Sequence, residues 1–102
     1  FLWQRMVVNS IKPTSELLNA MKARPWGKEV ADTMTMWNPD RQSRTSLDQL
    51  CRALGVPTSK EEMDGSKVYE TFKSGDLEKI RAYCMGDVEA VRACYLRMTF
   101  AA

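Results

Sequence analysis

Leu77-Glu78-Lys79-Ile80-Arg81-Ala82-Tyr83-Cys84-Met85-Gly86-Asp87-Val88-Glu89-Ala90-Val91-Arg92-Ala93-Cys94-Tyr95-Leu96-Arg97-Met98 is the stretch whose reading decides how this chain folds. Leu77, Ile80, Cys84, Val88, Val91, Tyr95 and Met98 recur at steps of 3, 4, 4, 3, 4 and 3, the spacing of one apolar helix face. Asp76, immediately before, has the short carboxylate that caps a helix start. Gly86 costs about 1 kcal/mol against Ala inside a helix, so a kink or boundary is expected near Met85. At 100° per residue, Tyr83 and Asp87 project about 40° apart, both flanking the apolar stripe and therefore expected at the edge of the core. A carboxylate there can ligate Mg²⁺ or Mn²⁺ through oxygen, and a phenol one turn earlier can hydrogen-bond a metal-bound water or a phosphate oxygen. On these five residues alone the plainer reading is the stronger: Tyr83 packs at a helix edge and Asp87 is a solvated acid.

Working back from this helix, Ser66 is expected to cap a shorter one through Val68, Tyr69 and Phe72 that ends at Ser74-Gly75. Thr58 to Gly65 reads as a charged loop. Ser46-Leu47-Asp48-Gln49 is a capping box, S-x-x-Q, opening a helix whose stripe is Leu47, Leu50, Cys51 and Leu54 and which Gly55 and Pro57 stop. Asn38 to Thr45 is polar and turn-rich. Nearer the start, Leu2, Trp3, Met6, Val7 and Ile11 give Phe1 to about Ser10 an amphipathic helical pattern. Lys12-Pro13 breaks it, Thr14 or Ser15 caps a second helix through Met21, and Arg24-Pro25-Trp26-Gly27 is a turn.

Glu29 to Trp37 carries the one alternating pattern, with Val30, Asp32, Met34 and Met36 on one side and Ala31, Thr33, Thr35 and Trp37 on the other. A strand is expected there. One strand cannot satisfy its own backbone, so it needs a copy of itself or strands from elsewhere, which makes a homodimer through this strand an expectation.

Composition narrows function mainly by exclusion. The 102 residues, 44% hydrophobic and 27% charged, suit one soluble domain with a modest core. A formal charge of +2 is too small to argue for nucleic-acid binding by itself. No apolar run approaches the roughly 18 residues that cross a bilayer, and Gln4 and Arg5 interrupt the only candidate signal core, so a cytoplasmic protein is expected. Cys51, Cys84 and Cys94 are odd in number without C-x-x-C spacing and read as buried apolar thiols. There is no histidine, which removes Ser-His and Cys-His nucleophiles and mixed His/Cys zinc sites. Phosphate-loop, dinucleotide and G-x-S-x-G patterns are also absent from the sequence. Asp32 reads as a locally hydrogen-bonded residue, Trp3, Trp26 and Trp37 as core, and Arg92 and Arg97 as solvated cations.

Tyr83-Cys84-Met85-Gly86-Asp87-Val88-Glu89-Ala90-Val91-Arg92 closely resembles the third motif, Y-C-x-x-D-V, of the DEDDy 3′-to-5′ exonucleases of the ribonuclease H-like superfamily. Three further segments agree in order. Val30-Ala31-Asp32-Thr33-Met34 resembles the family's core strand ending in Asp-Thr, and Thr45-Ser46-Leu47-Asp48-Gln49-Leu50-Cys51 its S-L-D-x-L-C helix. Met63-Asp64-Gly65-Ser66-Lys67-Val68 resembles the D-G-S-x-V segment of exonucleases akin to the proofreading domain of family B DNA polymerases.

The resemblance implies an α/β ribonuclease H-like family of which residues 1–102 form the C-terminal part of a single exonuclease domain, starting just after the second motif. This part is expected to be mainly α, with four to five helices and one strand. It further implies two-metal-ion phosphodiester hydrolysis at single-stranded DNA (or RNA) 3′ ends, using Mg²⁺ or Mn²⁺. Asp87 is the implied metal-ligating catalytic carboxylate and Tyr83 the residue that orients the attacking water. The family's other three carboxylates do not map onto this chain, so it is expected to be inactive by itself. The rival expectation is a non-catalytic helical oligomerisation or partner-binding module on an exonuclease-derived scaffold.

Overall fold

The computed structural model describes residues 1–24, 27–58 and 65–101. They divide into two compact units, Phe1–Asp32 and Thr33–Ala102.

The first unit holds two helices. α1 (Leu2–Val8) keeps the expected amphipathic helix and buries Met6. It closes where Ser10 takes φ 55°, which lets the Ile11 N–H reach the Met6 carbonyl at 2.8 Å. α2 (Ser15–Lys22) begins at Thr14, whose Oγ1 accepts from the Leu17 N–H at 3.2 Å. Trp3, read as core, is 50% exposed. The turn after α2 keeps a hydrogen bond from Gly27 N–H to the Arg24 carbonyl at 2.8 Å, while Pro25 and Trp26 lie outside the described residues.

The strand expected over Glu29 to Trp37 is absent. Residues 29–32 are irregular and Thr33–Trp37 form a short helix, α3. With no strand among the described residues to pair with, the backbone there satisfies itself locally, as the Asn38 N–H bonded to the Met34 carbonyl at 2.8 Å illustrates. Methionine, good in helices, does not resist this outcome. The homodimer expected through the strand has no strand here to work through. Trp37, also read as core, is 42% exposed.

The polar segment that follows is a built loop. Asp40 accepts from the backbone N–H groups of Gln42 and Ser43 and from the Ser43 hydroxyl, and Asn38 Nδ2 donates to Thr45 Oγ1 at 3.1 Å. These bonds, the hydroxyl of Ser43 first, hold the Asp40 carboxyl below its ordinary range. The loop delivers Ser46 to the start of α4 (Leu47–Leu54), where both halves of the expected capping box form: Gln49 N–H to Ser46 Oγ at 3.2 Å and Ser46 N–H to Gln49 Oε1 at 3.0 Å. Gly55, at φ 67°, ends the helix in the left-handed conformation, and the Val56 N–H returns to the Cys51 carbonyl at 2.8 Å.

Of the charged loop expected next, residues 59–64 lie outside the described residues. Ser66, expected to cap a helix, instead lies within a single 3₁₀ turn, Gly65–Lys67, and α5 (Val68–Lys73) follows directly. Gly75, at φ 82°, makes the sharp connection to the next helix. Asp76 caps that helix as expected, its Oδ1 accepting from the Lys79 N–H at 3.2 Å.

α6 (Leu77–Met98) runs unbroken through Gly86, so the boundary expected near Met85 does not occur. α3, α4 and α5 each pack against it. The described residues therefore contain six α-helices and a 3₁₀ turn, and the architecture is mainly helical as expected but with more helices and no strand.

Candidate functional site

α6 buries only part of the face its hydrophobic pattern marks out, with Ile80 and Met98 half-buried. Leu77 is 59% exposed, Val88 58%, and Val91 and Tyr95 39% each; Cys84, read as a buried thiol, is exposed as well. The residues that disappear from solvent are Ala90 and Cys94. They meet Leu50 and Cys51 of α4 in one buried cluster, flanked by Leu47, Leu54, Val56 and Met98. Small side chains on α6 let the two helices approach closely, and that closeness excludes water.

Tyr83, Asp87, Ala90 and Cys94 follow one another at steps of 4, 3 and 4, so the four share one helix face within about 60° of arc. The sequence-predicted pair is thus brought to the side of α6 that packs, and both residues are half-buried there. Half-burial fits the expected edge-of-core position: Asp87 lies about 20° from Cys94 on one side and about 20° from Ile80 and Met98 of the apolar stripe on the other. Arg92 and Arg97 are exposed, in keeping with solvated cations.

The electrostatics agree with this arrangement. Burial pushes the Cys51 thiol up from 9.0 to about 11, helped by its contact with Cys94 and by the negative charges of Asp48 and Asp87. Two carboxylates, one from each helix, therefore act on one buried sulfur. Asp48 stands on the first turn of α4, where a carboxylate complements the helix dipole, and its Oδ2 pairs with Arg52 Nε at 3.0 Å. Its Oδ1 is buried without a hydrogen-bond partner. Asp48 was inside the S-L-D-x-L-C segment yet was not singled out as a site residue. The i,i+4 pairing with Arg52 on a helix start was the available signal.

A two-metal centre does not fit these residues. No group of three or more Asp, Glu or Cys side chains able to hold a metal ion occurs among the described residues. Asp87 offers a single carboxylate. No helix among them is long and apolar enough to cross a membrane.

Residues 21–102 match a family model described as a predicted 3′-5′ exonuclease related to the exonuclease domain of PolB. The match takes in α3 to α6 and leaves out α1. Comparison with curated proteins and with solved structures gives no match.

Proposed function

We propose, because the chain belongs to the family of predicted 3′-5′ exonucleases related to the exonuclease domain of PolB, that residues 1–102 contribute to a ribonuclease H-like exonuclease domain of DEDDy type. The observation that carries the reading is the match over residues 21–102, which contains Tyr83 and Asp87 one turn apart on one half-buried face of α6. In this reading Asp87 gives a carboxylate oxygen to Mg²⁺ or Mn²⁺, ions that when bound make water a better nucleophile. Tyr83 holds the water that attacks the terminal phosphodiester of a single-stranded DNA 3′ end. One aspartate does not hold two ions, so the chain alone is inactive and cleavage requires carboxylates from outside it.

The test is a nuclease assay on 5′-labelled single-stranded DNA with manganese, using a longer protein in which a D-x-E strand and an Asn-x-x-Phe-Asp segment precede these residues. Shortening from the 3′ end is expected, with a loss of roughly a hundredfold or more in Asp87→Ala. Undiminished cleavage by Asp87→Ala would sink the assignment. A single-stranded RNA substrate in the same assay decides between DNA and RNA.

A second reading, a non-catalytic helical module for oligomerisation or partner binding, draws on the exposed Leu77, Val88, Val91 and Tyr95 of α6. Size-exclusion chromatography addresses it, since a strict monomer at high concentration counts against self-association.

A further inference from the structure

The nuclease reading uses Tyr83 and Asp87 and leaves the two buried sulfurs of the α4 and α6 cluster unexplained. Cys51 Sγ and Cys94 Sγ lie 3.7 Å apart, one from α4 and one from α6, and neither side chain is exposed. Forty-three residues separate them in sequence, so the contact is a product of the fold. All three cysteines are free thiols. A disulfide bond spans about 2.05 Å, so the sulfurs need to close by about 1.7 Å for a bond to form.

We propose that Cys51 and Cys94 form a dithiol modification site, which a low-molecular-weight disulfide oxidises to a bond joining α4 to α6. The exchange is balanced in two steps. One protein thiolate attacks a sulfur of the small disulfide, giving a mixed disulfide and releasing one small thiol. The other protein thiolate then attacks the protein sulfur of that mixed disulfide, forming the Cys51–Cys94 bond and releasing the second small thiol. The two protein thiols lose two protons and two electrons, and the small disulfide takes up both pairs to become two thiols.

The structure also sets when this happens. In the docked state both sulfurs are out of reach, and burial keeps Cys51 protonated. α4 has only eight residues, too few to persist as a free helix, so reaching the sulfurs requires α4 to separate from α6 and unwind, which uncovers Cys51 and Cys94 together. Oxidation therefore reports the opening of α4, and the bond then fixes α4 in its docked position beside Asp87. The inference stands whether or not the domain is a nuclease.

The test uses the 102-residue chain carrying Cys84→Ser, which removes the exposed competitor. The folded protein is incubated with glutathione disulfide at mildly alkaline pH, its remaining thiols are alkylated under denaturing conditions, and its peptides are analysed without reduction. The expected result is a linked pair of peptides containing Cys51 and Cys94, a raised unfolding midpoint, and return of both by a reductant. Adding Cys94→Ala should abolish the bridge and leave at most a glutathione adduct on Cys51. Two thiols that remain fully alkylatable, or glutathione adducts that accumulate without a bridge, overturn the proposal.

Discussion

The two faces of α6 differ in a way opposite to their hydrophobicity. The face carrying Leu77, Val88, Val91 and Tyr95 has the larger apolar side chains and is only partly covered. The face carrying Ala90 and Cys94 has little apolar volume and is sealed against α4. Burial here follows how near a partner helix can come, and small residues admit the nearer approach. A wide apolar stripe marks where a surface is wanted. It does not show that the surface is occupied within the same chain.

The largest effect is expected from emptying the sealed face. Leu50→Ala should cost about 2–5 kcal/mol in a urea titration, because a side chain only 3% exposed leaves a cavity. Next comes an alkaline transition from the same cluster. Folding raises the Cys51 thiol from 9.0 to about 11, so the unfolded chain gives up its proton first as the pH rises. The contribution of Cys51 to stability is full below about pH 9 and is lost as the pH climbs through about 11, with Cys94, Asp48 and Asp87 all facing this thiol. Urea midpoints measured across that window should fall more steeply for the parent chain than for Cys51→Ala.

Smaller effects test the support of the sealed face and then the open face. Ser46→Ala removes the cap that starts α4 and should lower stability by about 1 kcal/mol. Val88→Ser, on the open face, should change the midpoint by no more than about 0.5 kcal/mol. A loss at Val88 approaching that at Leu50 would break the comparison, since it would mean that the open face is covered in solution.

Local signals were the legible part of this fold. Ser46 with Gln49, Thr14, Asp76 and Gly55 each act within a few residues, and each ended up in the role its position suggested. Residues 29–37 were misread because alternation records only which side chains resemble each other. Whether the backbone becomes a strand depends on a neighbouring strand, which no pattern inside nine residues can supply. Ser66 was misread for a related reason: a 3₁₀ turn can run straight into a helix and move its start by one residue. At the candidate site, the spacing of Tyr83 and Asp87 fixed their common face, but the direction of that face was set by Ala90 and Cys94, residues too small to weigh in a hydrophobic pattern.

The seal at Ala90 and Cys94 has a mechanical consequence. α6 is a rod of 22 residues, about 33 Å long, clamped to α4 in its C-terminal half. Measured from the clamp, Leu77 stands about 22 Å out along the rod and Asp87 only about 7 Å. A tilt of the Leu77 end about this clamp therefore reaches the Asp87 carboxylate at about a third of its size. The chain carries its one candidate metal-ligating group close to the fulcrum, where a lever moves least.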